Sequence, residues 1–212
     1  MTRKFAIIAA LTVTALSGAA LAQTDALVRD PIQVRSGSYV LDPAHGKITW
    51  SVDHLGFSTY VGQFTNVAAK LDLNVRNPAA SKLDASVKMD SVGTFHDGLD
   101  RHLKTADFFD TAKYPTATFR ATGIRMIDAD SANITGNLTL RGVTKPIVIE
   151  ADFNQAGVNP VDKMYSVGFD GRAKIKRSDF GINYGLPVLG DEVILHFEAE
   201  FKQAPSQPKA GA

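Results

Sequence analysis

The chain contains no cysteine. That absence removes a disulfide scaffold, thiolate catalysis, a thiolate zinc site and a lipid-modified N-terminal cysteine. Charge of one sign is also missing, since 23 Lys+Arg stand against 22 Asp+Glu for a formal net charge of +1. With no basic block to track a phosphate backbone, nucleic acid is excluded as the main partner. Long apolar runs are lacking too, and no stretch reaches the ~18–20 residues that a membrane-spanning helix needs. Neither a His-Glu-x-x-His nor a Gly-x-Ser-x-Gly pattern occurs. What remains is 212 residues, 44% of them hydrophobic and 21% charged. That is enough chain for one domain with a substantial core, and too little charge for wholesale disorder.

The N-terminus reads as an export signal. Arg3 and Lys4 precede an apolar run over residues 5–16, and Ala20-Leu21-Ala22 supplies the small-x-small cleavage pattern. Cleavage near Ala22 would remove both basic residues and leave 21 basic against 22 acidic side chains, a net charge of −1. Residues 23–36 read as a linker, residues 37–202 as the folded domain, and residues 203–212 as a flexible tail without apolar period.

From Ser38 onward the dominant signal is a period of two. Ile48, Trp50 and Val52 alternate with Lys47, Thr49, Ser51 and Asp53. The same alternation returns over residues 67–75, 83–90, 117–122, 134–140, 167–176 and 192–201, and more weakly over residues 146–153. Such alternation buries one face and wets the other. Turn chemistry separates the segments at Asn77-Pro78, residues 128–133, Gly142 and residues 154–160. About eight strands of this kind make an antiparallel sandwich or a closed barrel. One region breaks the period, residues 96–114. There Leu99, Leu103 and Ala106 share a helical face, and Asp97 and Arg101 stand four apart on the other side. This segment is expected to be a short helical insertion capping one end of the sheet.

The inward positions carry no charge and include many small residues, among them Ala69, Ala85, Ala117, Ala121, Ala173, Ala199, Gly136 and Gly171. An eight-stranded barrel is just wide enough for side chains to fill it or for one small ligand. Small inward residues fit a hollow interior. They fit equally a solid one, in which Trp50, Phe119, Phe169 and Phe197 take up the space beside the alanines.

Five segments in order carry a more specific signal. They are His54-Leu55-Gly56-Phe57-Ser58 followed by Gly62-Gln63-Phe64, the insertion HLKTADFFDTAKYP at residues 102–115 leading into Ala117-Thr118-Phe119, the stretch GNLTLRGVTKP at residues 136–146, Val167-Gly168-Phe169-Asp170, and Lys176-Arg177-Ser178-Asp179-Phe180-Gly181. Together they resemble the YceI-like family, periplasmic lipocalin-like barrels that bind isoprenoid lipids. The resemblance spans residues 39–201 and implies an all-β fold: a closed antiparallel eight-stranded barrel with a short helical insertion. It implies an exported periplasmic carrier, not an enzyme, that takes an isoprenoid or similar amphiphilic lipid as its ligand and uses no cofactor. Two positions depart from the family pattern, Phe95 where Asn is common and Leu99 where Arg is common, with Asp100 retained. These departures imply a different head-group preference.

On this reading Trp50, Val52, Phe119, Leu138, Phe169 and Phe197 line the lipid cavity. Arg101 and His102 on the insertion, with His54 behind them, are placed to meet a polar or phosphate head. Lys174, Lys176 and Arg177 near a strand end would give a transient contact with anionic membrane heads. Two other readings compete. In one, His54 and His102, joined by His96, Asp97 and Asp100, hold a catalytic metal, although His96 and His102 are six apart and fall on opposite faces of a regular helix. In the other, the chain is an exported β interaction module with a filled core. Oligomeric state is left open, although a closed barrel has no free edge strand for pairing.

Overall fold

Alternating sequence becomes antiparallel sheet throughout the computed structural model, which describes residues 26–205. Its elements in chain order are β1 (Gly37–His54), β2 (Ser58–Phe64), β3 (Val67–Leu73), β4 (Lys82–Lys88), β5 (Val92–Gly93), α1 (Asp97–Leu103), β6 (Thr116–Met126), β7 (Ser131–Leu140), β8 (Val143–Val158), β9 (Tyr165–Lys176) and β10 (Leu189–Gln203). Neighbours pair in the order β10-β9-β8-β7-β6-β4-β3-β1-β2-β5, and β10 also pairs with β1, which closes the sheet.

Ten segments make eight staves. The N-terminal half of β1 pairs with β3 and its C-terminal half with β2, so β2 and β3 act as one stave with a kink. The following stave is likewise split, with β4 on β3 and β5 on β2. The two kinks lie side by side and are tied together: Lys88 N–H donates to Asn66 O at 2.9 Å, and Asn66 N–H to Ser91 Oγ at 3.1 Å. Bending paired staves at one level lets the sheet wrap onto itself, and the result is the eight-stranded barrel.

Several boundaries differ from the periodic reading for local reasons. Strand β2 escapes it because the positions facing inward are Tyr60, Gly62 and Phe64, set opposite Val52, Trp50 and Ile48; a glycine in mid-stave erases the apolar contrast. Residues 154–158 belong to β8 and not to a turn. A register shift between Phe153 and Gln155 breaks the period there, and a bulge residue imitates turn chemistry. The insertion is a single helix of seven residues, N-capped by His96, whose Nδ1 accepts from Leu99 N–H at 3.1 Å. Ala106 lies beyond its end and is exposed, and no ion pair joins Asp97 to Arg101.

Residues 26–36 do not behave as a linker. Val28 bridges Ala156 through two backbone hydrogen bonds, and Val28 and Val34 are buried in a core cluster with Tyr39, Leu41 and Phe201. Arg35 stacks over the Tyr165 ring at 4.2 Å, and Tyr39 Oη donates to Arg35 O at 2.6 Å. Burial, and next the nearby Tyr165 hydroxyl, push the Tyr39 phenol well above its ordinary value. At the other end Gln203 is the last residue of β10, opposite Tyr39. The segments expected to be an export signal, residues 1–22, and most of the expected tail, residues 206–212, lie outside the described residues. No helix among the described residues is long and apolar enough to cross a membrane.

Candidate functional site

The buried side chains do not merge into one plug. They gather in three clusters, centred on Tyr39 and Val167, on Trp50 and Phe180, and on Phe119 and Ile149. Between them the barrel encloses a cavity of about 950 Å³, walled by Leu, Ile, Val, Ala and Phe side chains from every stave.

What keeps it open is a placement of aromatic rings over glycine. Trp50 faces Gly62 across β1 and β2, and its ring occupies the space a side chain at 62 would need, 2.2 Å from the position of a Cβ. Phe119 lies in the same way over Gly136 of β7, 2.3 Å from that Cβ position. Rings laid flat against the wall fill the volume left by glycine and not the lumen. The inward small residues therefore serve both purposes that the sequence left open: they seat the aromatics and leave the middle empty.

Trp50, Val52, Phe119, Leu138, Phe169 and Phe197 all line this cavity. His102 lines it near one end, with its Nε2 2.8 Å from Asp107 Oδ2 and its ring edge-on to Phe108 and Tyr184. Arg101 does not: it is exposed on the outer side of α1 and is absent from the lining. A helix that turns Leu99, His102 and Leu103 inward must turn position 101 outward. Of the two departures, Leu99 lines the cavity as one more apolar group, whereas Phe95 projects outside it.

The histidines do not converge on a metal. His54 packs beside Tyr60, His96 caps α1 and His102 pairs with Asp107. Among the described residues the one metal-capable group is elsewhere, Asp42, His45 and Glu200. It sits where residues 42–45 of β1 bulge opposite Glu200. Lys202 already supplies a cation there, 2.7 Å from Asp162, 3.8 Å from Asp42 and hydrogen-bonded to Glu200. Burial pulls the Lys202 ammonium down, but hydrogen bonds to Asp162 and Glu200 outweigh it and raise its pKa. The His45 hydrogen bond holds Asp42 below the ordinary carboxylate range.

Lys174, Lys176 and Arg177 do not form a basic patch. Lys174 is paired with Glu192 at 2.9 Å. Arg177 is 7% exposed and donates to four backbone carbonyls, those of Gly190, Ile182, Tyr184 and Leu189, at 2.7–3.1 Å. Desolvation lowers its pKa below the ordinary guanidinium value, and the field of Asp191 opposes that fall. Arg177 thus staples the loop 181–188 and the start of β10 over the end of the barrel. Arg141 does the same from the β7–β8 turn, donating to Gly181 O and to Ala106 O. Asp100 ties the approach to α1 by accepting from Thr94 N–H at 2.8 Å and Thr94 Oγ1 at 2.6 Å. The sequence offers these staples only as motif letters; nothing in a period-two pattern distinguishes them from solvated charges.

A model of the YceI-like domain matches residues 39–201. A UPF0312 protein of Azotobacter vinelandii is 39% identical over 170 residues, covering 79% of this chain and 88% of that protein. Among solved structures, the YCEI protein of Campylobacter jejuni is similar with 33% identity and a TM-score of 0.62, covering 72% of this chain and 90% of that one. A polyisoprenoid binding domain from Saccharophagus degradans shares the fold at a TM-score of 0.61 and 15% identity, over 80% of this chain and 100% of that one.

Proposed function

The chain belongs to the YceI-like family, and from that premise we propose that it holds the hydrocarbon tail of an isoprenoid or similar long-chain amphiphile inside the barrel, as a carrier or store in the periplasm. The observation that carries this reading is the apolar cavity of about 950 Å³. Each CH₂-sized group gains ~0.8 kcal/mol on leaving water, so one five-carbon unit contributes a few kcal/mol before the ordering of the chain is subtracted. A wall without any directed polar contact is therefore sufficient for tight retention of a tail. Selectivity falls to the end where His54, Tyr60, His102 and Tyr184 border the cavity. The binding function named for the Saccharophagus degradans domain supports the ligand class. Residues 1–22 support export, through their basic start, apolar run and small-residue cleavage pattern.

Native mass spectrometry of protein purified without detergent is the test. A one-to-one adduct with the mass of a prenyl lipid, or its uptake by delipidated protein, is the expected result. Delipidated protein that takes up no prenyl or fatty chain overturns the reading.

A further inference from the structure

The lining of the cavity reaches solvent at both ends of the barrel, but unequally. At the α1 end, Tyr184 is the one exposed lining residue among the described residues. At the opposite end the lining takes in Asp30, Ile32, Met126 and residues 128–130, all of them exposed, Ile32 by 76% and Met126 by 39%. Three connections surround that opening. They are the 3₁₀ turn Pro31–Gln33, the 3₁₀ turn Pro78–Ala80 between β3 and β4, and the β6–β7 turn at residues 127–130.

Strand β6 carries the apolar wall out to this end. A register shift between Ala121 and Gly123 moves its inward phase by one residue, so that Ile124 and Met126 follow Ala117 and Phe119 in the lining. Opposite them on β7, Ile134 and Ala132 continue the row from Leu140 and Leu138. The bore is therefore apolar up to its rim. There the carboxylates are spent on their own turns: Asp30 accepts from Ile32 N–H at 3.1 Å, and Asp128 from Ser131 N–H at 2.9 Å.

The two ends also differ in how they are held. Across the α1 end, Arg141 joins the β7–β8 turn to Gly181 and Ala106, and Arg177 holds the loop beyond. At the other end no hydrogen bond joins one of the three connections to another among the described residues.

We propose that this end is an open exit for the tail of the ligand. The head lies at the stapled α1 end, the chain fills the bore, and prenyl units beyond its capacity pass out between Ile32, Pro78 and Met126. This rests on the cavity being a lipid site whose head group is selected at the His54 end. Units outside the exit stay in water, as they were in the free ligand, so surplus length costs nothing; a blind end would fold it back or shut it out. The ligand class then includes polyprenyl chains longer than the cavity of about 950 Å³ contains.

Because the chain has no cysteine, Ile32→Cys, Ala129→Cys and Tyr184→Cys each accept a single NBD fluorophore, while native mass spectrometry counts the bound lipid. Two prenyl alcohols are delivered from cyclodextrin, one of about 20 carbons, which the cavity contains, and one of about 50, which exceeds it at ~30 Å³ per carbon. The longer alcohol should raise emission about twofold with a blue shift at 32 and 129, where the shorter leaves it unchanged. Position 184 should respond equally to both. Ala132→Trp narrows the exit, and should weaken binding of the longer alcohol about tenfold and spare the shorter. If that variant does not fold, the NBD signals decide alone. Bound long alcohol that leaves 32 and 129 unchanged overturns the exit. So does a length-dependent signal at 184 in their place, or exclusion of the long alcohol by protein that binds the short one. Wild-type protein that binds neither alcohol refutes the cavity reading itself, and the exit with it.

Discussion

Trp50 and Gly62 face each other across β1 and β2, with the indole ring in the volume that a side chain at 62 would fill. The ring is therefore held against the wall by the absence of a Cβ. Gly62→Val should swing it into the lumen. The cost is that of overpacking, ~1–3 kcal/mol, seen as a lower urea midpoint. Uptake of long prenyl chains should fall while short ones still enter. A variant that binds long chains as the wild type does would show that the ring does not guard the bore.

Ala85 tests the same space from the opposite direction. It lines the cavity between Ala69 and Phe119 on neighbouring staves. Ala85→Leu adds apolar volume to an empty place, so stability should hold or rise by about 1 kcal/mol. Uptake of a long prenyl alcohol should weaken about tenfold or more, since each CH₂-sized group displaced forfeits ~0.8 kcal/mol. Thermal unfolding and a fluorescent-lipid titration separate the two effects.

Arg177 is a structural cation. Its loss as Arg177→Met would strand carbonyls of the loop 181–188 and the start of β10, each costing ~1–3 kcal/mol when left unpaired. A net loss of about 4 kcal/mol is expected, allowing for partial rehydration of that loop. Denaturant unfolding reads it directly. A loss under ~1 kcal/mol would mean that the loop is held by other contacts.

The Asp162–Lys202 pair sets an acid limb. The Lys202 hydrogen bond, and next that of Met164 N–H, hold the Asp162 carboxyl below its ordinary value of 3.8. A depressed folded-state value stabilises fully above the ordinary value and ceases to do so as pH falls through the lower one. Asp162→Asn should thus be less stable than wild type at neutral pH, by no more than a modest surface ion-pair contribution. The difference should shrink as pH falls below the ordinary carboxylate value and vanish once the depressed carboxyl is itself protonated. A pH-independent difference in unfolding midpoint would contradict the assignment.

The strands of the barrel were legible because period two survives wherever the inward residue is apolar. It fails at Gly62, where a glycine stands in for a core residue, and at Asn154, where a bulge imitates a turn. The lining residues Trp50, Val52, Phe119, Leu138, Phe169 and Phe197 follow from the same alternation. Whether they enclose space does not, because alternation fixes which way a ring points and not how flat it lies. Arg101 and Arg177 show the converse limit. Both read as surface charges, yet one is solvated on α1 and the other is buried among four carbonyls. Hydrogen bonds to backbone from a distant turn leave no periodic trace.

The central claim is a bore that accepts a prenyl chain end to end, and a chain-length series tests it most directly. Taking one carbon to need roughly the ~30 Å³ of a water molecule, the cavity of about 950 Å³ has room for about 30 carbons, or about six five-carbon units. Isothermal titration of delipidated protein with prenyl alcohols of increasing length should show affinity rising with each unit up to about six and then levelling off. Affinity that is flat with length, or no binding at any length, would contradict the account.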